Sequence, residues 1–215
     1  RELARKLVPY QLTAKLFLVP FEPLQRVIVQ WGPEQYRVLL YRRLMLRIAE
    51  QLAYRDHAQA LVTGDSLAQV ASQTLQNMVA VGAASRLPVF RPLAGDDKQE
   101  ILALARKIGT HDISAEPFHD CCPVFMPRTP ALYASVEDLD RAEAGMAAAS
   151  AGAAASHGAA SADTSTSDGG ASMDALVRRG LDAAQLERFR YSSGRVEQVD
   201  SFRPAAAPTA RSPRA

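Results

Sequence analysis

Apolar residues recur along this chain in short clusters, and the spacing of the clusters changes from one segment to the next. Residues 14–21, AKLFLVPF, form a compact apolar run of strand character. From Glu34 to about Arg55, Val38, Leu39, Leu44, Ile48 and Leu52 fall near helical spacing behind Pro33, which predicts a long helix. ALVTGD at 60–65 reads as a strand ending on glycine, and 66–84, SLAQVASQTLQNMVAVGAA, reads as a helix. LPVFRPL at 87–93 predicts a second strand. DDKQEILALARKIG at 96–109 predicts a helix with an aspartate cap, closed by Gly109. Strands alternating with helices of this length predict an α/β fold, a parallel sheet with flanking helices. Ligands of such sheets bind beyond the carboxyl ends of the strands, which puts TGDS and RPLAGDDK on the candidate edge.

After about Pro130 the pattern dissolves into Ala, Ser and Gly. Too few large apolar side chains remain there to offset the entropy of ordering, so residues 136–215 are expected to be a low-complexity, disordered tail behind a domain of residues 1–135. The exception is 173–191, MDALVRRGLDAAQLERFRY, which is expected to form a single amphipathic helix. The chain opens at Arg1, without a methionine and inside what reads as a helix, which suggests a piece of a longer protein.

The 215 residues carry a net charge of +2, so the total demands no polyanionic partner. The first 135 residues hold 16 Lys and Arg against 12 Asp and Glu, and the remainder 9 against 11. No apolar run reaches the ~18 residues of a membrane span, and no signal peptide opens the chain. A reducing, cytoplasmic setting is the default expectation. The two cysteines, Cys121 and Cys122, are adjacent. A bond between neighbours closes almost no loop, so they form no structural disulfide framework. A structural zinc site needs more ligands than nearby His119 supplies. What remains is a pair of small buried side chains or a pair of reactive thiols.

The stretches YRRLMLRIAE, ALVTGDSLAQVASQTLQN, RPLAGDDKQEILALARKIGT and DCCPVF, in this order and spacing, resemble the tRNA 4-thiouridine synthetase family from near the first residue to about residue 130. These are ATP-dependent tRNA sulfurtransferases that also serve thiamine thiazole synthesis. The resemblance implies an adenine-nucleotide α-hydrolase (PP-loop) fold, a tRNA substrate and a uridine activated by adenylation. It also implies a cysteine persulfide loaded by a cysteine desulfurase, ATP with Mg2+, and a homodimer. Arg42, Gly64 and Gln73 match the family's ATP-contacting positions. Lys98, at the start of a helix, matches a lysine placed for pyrophosphate. Asp120, Cys121 and Cys122 match an acidic residue, an intervening residue and the reactive cysteine, which makes Cys122 the first candidate and Cys121 the second.

Each assignment has a plainer counterpart. Gly64 can serve a turn alone, Gln73 can be a solvated helix residue, and Arg42 can pair with a surface carboxylate. Asp96 and Asp97 fit helix caps, and Asp65 fits either a cap or a water-mediated magnesium ligand. A helix starting near Ser66 would aim its amide groups and its dipole at the same edge. Two departures stand against the match. The family's phosphate loop is missing, since SDGGASMD at 167–174 has no strand before it. The ferredoxin-like, THUMP and rhodanese portions are missing too. The expectation is an incomplete catalytic domain, inactive alone. The alternatives are another ATP-pyrophosphatase of the same fold and a non-catalytic remnant that binds a partner.

Overall fold

The computed structural model describes residues 1–67, 69–117, 125, 127–156 and 170–202. In order, the chain forms α1 (Glu2–Gln11), β1 (Thr13–Leu18), α2 (Glu22–Trp31), α3 (Arg37–Arg55), β2 (Leu61–Val62), α4 (Leu75–Gly82), β3 (Val89–Phe90), α5 (Lys98–Lys107), α6 (His111–Ala115), α7 (Val136–Ser156), α8 (Met173–Ala183), β4 (Gln185–Ser192) and β5 (Arg195–Phe202). The fold is mixed α/β. No described helix is long and apolar enough to cross a membrane.

The long helix α3 organises the core because it is apolar on two sides. Leu40, Tyr41, Leu44, Ile48 and Leu52 meet α2 and α8 in one cluster, while Leu39 and Leu46 turn toward Ala80, Val81 and Leu139 in a second. β2 and β3 pair in parallel, Leu61 opposite Val89 and Val62 opposite Phe90. The other sheet departs from the expected parallel arrangement. β1 pairs antiparallel with β4, and β4 with β5, so the AKLFLV run joins the end of the chain and not the β2–β3 pair.

The second half of the chain is where composition misleads. Residues 136–156 form the helix α7, although they lie in the stretch expected to be disordered. Alanine is the best helix former, and α7 places fully buried Leu139 and Met146 against the core. Two arginines of α3 pin it. Arg43 pairs with Asp140 and Glu143, and Arg47 grips Glu143 through two hydrogen bonds of 2.8 Å. The helix expected over 173–191 stops at Ala183, and residues 185–192 are strand β4. The reason is tertiary. Leu186 and Phe189 are 5% and 1% exposed, and pairing with β1 satisfies the backbone groups that a longer helix would have bonded to itself. β4 turns into β5 at Ser193 and Gly194, both with positive φ (51° and 79°), a two-residue hairpin turn whose twist suits the flanking strands. The expectations for 157–169 and 203–215 fall outside the described residues.

Candidate functional site

The carboxyl ends of β2 and β3 meet at one side chain. Asp65, three residues after β2, is 7% exposed. Its carboxylate accepts hydrogen bonds from the Thr63 hydroxyl at 2.8 Å, from Arg91 Nε at 3.3 Å and, at the outer limit of such a contact, from Gln73 Nε2 at 3.5 Å. It also forms an ion pair with Arg42 Nη2. Arg42 reaches in from α3, with its other terminal nitrogen donating to the Ser72 carbonyl at 2.7 Å and the Ser72 hydroxyl at 3.2 Å. Arg91 follows β3 directly and spends its terminal nitrogens on the carbonyls of Met78 (3.3 Å) and Val89 (3.4 Å). One carboxylate therefore gathers groups from α3, the β2 loop, the turn before α4 and the end of β3.

Two guanidiniums share this one carboxylate, so the cluster carries a surplus positive charge in a half-buried setting. Burial pushes the Asp65 carboxyl up, but the Thr63 hydroxyl, Arg42, Arg91 and Gln73 together outweigh it and hold the group below the usual carboxylate value. Desolvation, with Arg91 adding to it, brings Arg42 below its ordinary value against the pull of Asp65. A partly desolvated guanidinium with unbalanced positive charge beside it is a good anion partner.

Gly64 lies between Thr63 and Asp65. A Cβ built there meets nothing within 4 Å, and its φ is not positive. The turn reading of Gly64 therefore loses its support, because this backbone needs no glycine, and the space beside it stays open to an incoming group. The loop that follows is tied to the β3 side: Ser66 Oγ donates to the Asp96 carbonyl at 3.1 Å and Leu67 N to the Ala94 carbonyl at 3.2 Å. Lys98, exposed, is the first residue of α5 on that tied segment. Asp97 caps the helix in a capping box with Glu100, as expected, and Gly109 follows its end with φ +73°.

Three expectations need correction. The helix after TGDS does not start near Ser66. It starts at Leu75, with the Thr74 side chain accepting from Asn77 N, so no helix dipole reaches the edge from Ser66. Gln73 consequently sits in a short 3-10 turn, Ala71–Gln73, where its amide can turn back to Asp65. Arg42 does pair with a carboxylate, but with buried Asp65 and not a surface one. Asp65 itself is neither cap nor free ligand, since both its oxygens are occupied. Among the described residues no group of three His, Cys, Asp or Glu side chains could hold a metal.

The structure thus brings Arg42, Gln73 and Gly64 to one edge, with Lys98 on the segment tied to it. Cys121 and Cys122, with His119 and Asp120, lie outside the described residues. Beyond them, the Phe125 carbonyl stands 3.5 Å from the Tyr41 hydroxyl, next to Arg42 in sequence. Residues 131–134 are clamped by fully buried Asn77, whose side chain donates to the Ala71 and Ala131 carbonyls at 2.8 and 2.9 Å and accepts from Ala134 N at 2.9 Å. Sequence reasoning missed Arg91, Ser72 and Asn77. Arg91 was within reach, because it follows a strand that the pattern predicts and so falls on the carboxyl edge by the same rule that selected Gly64.

A mixed α/β chain whose anion-attracting groups collect beyond two parallel strands is, by class, a ligand-binding protein of the open-sheet kind. Its family is specific: the family model described as thiamine biosynthesis protein (ThiI) matches residues 1–147, and the chain belongs to that family. It is 51% identical over 144 residues to a probable tRNA sulfurtransferase of Thermus thermophilus, covering 67% of this chain and 36% of that one. A protein of the same description from Nocardia farcinica is 50% identical over 137 residues, 64% of this chain and 33% of the relative. The chain thus spans about a third of the length of these curated relatives. Among solved structures, a 4-thiouridine synthetase in complex with RNA and with bound ATP superposes with a TM-score of 0.71 at 30% identity, over 87% of this chain and 43% of that one. That 87% is more than residues 1–169 could supply, so the likeness runs on into α8, β4 and β5.

Proposed function

We propose that this chain carries part of the ATP-dependent site of a tRNA sulfurtransferase, which transfers sulfur to a tRNA uridine to form 4-thiouridine. The observation behind the reading is the Asp65 cluster: two of the residues matched to ATP contacts, Arg42 and Gln73, are held by one carboxylate beside Gly64, and the third, Gly64, leaves open space. A triphosphate suits a cluster with surplus guanidinium charge, and the bare backbone at Gly64 admits an adenosine moiety. Arg42 binds and orients the polyanion, Gln73 supplies an amide for a base or sugar edge, and Lys98 takes the pyrophosphate side. ATP supplies the activation of the uridine by adenylation, with Mg2+ as its counterion.

Cys122 carries the persulfide sulfur in this reading and Cys121 stands by to resolve it, with a cysteine desulfurase as donor. The same sulfur serves thiamine thiazole synthesis, in the cytoplasm, by an enzyme that works as a homodimer. A chain spanning a third of its relatives also suits a second reading, a remnant that binds a partner without catalysis. A chimera separates the two. Residues 1–147 of this chain replace the matched segment of the Thermus thermophilus relative, and tRNA thiolation is measured with labelled sulfur. The chimera is expected to thiolate, and Arg42→Ala to lose at least about tenfold in kcat/KM, a loss of one phosphate-bound guanidinium contact. A folded chimera without activity refutes the enzymatic reading.

A further inference from the structure

β2 and β3 form a sheet of two strands with two residues each, and among the described residues they pair only with each other. Along a strand, side chains alternate between the two faces. Leu61 and Val89 pack inward against the cluster of Leu39, Leu46, Ala80 and Val81. Val62 and Phe90 point the other way and are 69% and 58% exposed. Parallel strands are ordinarily buried on both faces, because their crossover helices cover both sides. Here one face is covered and the opposite one is bare and apolar.

The neighbouring helix repeats the pattern. α4 turns Met78, Ala80 and Val81 inward, while Leu75 and Val79 are 64% and 60% exposed. With Met78, Leu87, Val89 and Arg91 they line an open hollow of about 390 Å³ between α4 and the β3 edge. Single exposed apolar residues are common and need no cause. A whole sheet face together with the flank of its crossover helix is a contiguous kind of exposure that marks an interface.

A second copy of this chain fits this surface poorly. A two-fold axis that brought β2 or β3 against its own copy would run the strands antiparallel, whereas the existing pair is parallel. The relatives point to another occupant. They are about three times as long as the part this chain matches, and the 4-thiouridine synthetase chain extends well beyond the superposed 43%. We propose that the Val62–Phe90 face and the α4–β3 hollow are the docking surface for an α/β polypeptide segment of the kind that makes up the rest of the relatives' length, joining the β2–β3 sheet and covering its bare side.

The experiment uses the full chain with Phe90→Cys in a background of Cys121→Ser and Cys122→Ser. It is produced alone and co-expressed with the part of the Thermus thermophilus relative outside the matched 144 residues. Labelling of the new thiol by a maleimide is timed in both preparations, with Leu104→Cys on α5, 43% exposed, as the control. The two polypeptides are expected to co-purify as an equimolar complex. In it, Phe90→Cys should label at least about tenfold more slowly than in the chain alone, a protection of ~1.4 kcal/mol, while Leu104→Cys labels equally in both. Absence of a complex, or equal labelling of Phe90→Cys in both preparations, overturns the proposal. So does a chain that is already protected alone, whether as a dimer of this chain or as a monomer. No nucleotide or tRNA is present, so a complex that forms but fails to thiolate refutes the activity and leaves the docking surface standing.

Discussion

Leu176→Ala asks whether the alanine-rich second half of the chain is an appendage or part of one cooperative unit. Leu176 lies on α8 at 0% exposure, in the cluster that holds Leu24, Ile28, Leu44, Ile48 and Leu52. Its helix packs against α3, with Gly180 so close that a Cβ there would meet Ile48 Cδ1 at 2.7 Å. A leucine cut back to alanine in a core this tight loses its transfer free energy and leaves a cavity, ~2–5 kcal/mol in all. Taking ~3 kcal/mol, and ~2–4 °C per kcal/mol for a chain of this size, the Tm falls by ~6–12 °C. The assay is thermal unfolding followed by circular dichroism and repeated in urea, where the midpoint should drop at an unchanged slope. Arg178→Ala, an exposed change on the same helix, should leave both curves in place. A fall of less than ~2 °C for Leu176→Ala, or two separate transitions in the parent, would refute the single core and restore a detached tail.

Gly64→Val should leave thermal unfolding of the chain unchanged, because a Cβ at this position has open space, yet weaken binding of a fluorescent ATP analogue by the chimera. Equal affinity would remove Gly64 from the site. Asp65→Asn should flatten the acid side of the stability profile: the carboxyl is held below its usual value, so its contribution is complete at neutral pH and is lost as pH falls below the ordinary ~3.9 and through the folded value. Identical acid unfolding of the variant and the parent would mean that the Arg42 and Arg91 contacts stabilise nothing. In the chimera, Cys122→Ser should abolish thiolation while adenylation of tRNA persists, and Cys121→Ser should keep activity. The reverse pattern would exchange the two roles.

Much of the candidate site could be read from local order. The α5 capping box, Asp97 with Glu100, and Gly109 after the helix end are interactions within a few residues, so they appear in the sequence as letters at fixed offsets. Helix α3 was legible for the same reason, since its apolar positions recur at a helical period whatever they later touch. Gly64 and Arg42 were also within reach, but what holds Arg42 was not. Its partners Asp65 and Ser72 lie 23 and 30 residues away, and the turn that puts Gln73 near Asp65 exists because Thr74, not Ser66, caps α4.

The sequence by itself determined the helices and strands from Glu34 to Gly109, because periodicity, caps and turn residues act over one or two helical turns. Only the tertiary structure decided the fate of AKLFLVPF and of everything after Pro130. β1 takes as its partner β4, some 170 residues away in register, and α7 is held by Arg43 and Arg47, nearly 100 residues earlier. Leu186 and Phe189 carry apolar surface that suits either a helix face or a strand face, and the choice fell to the strand because β1 offered unpaired backbone groups on the side where α8 and α3 had already closed the core.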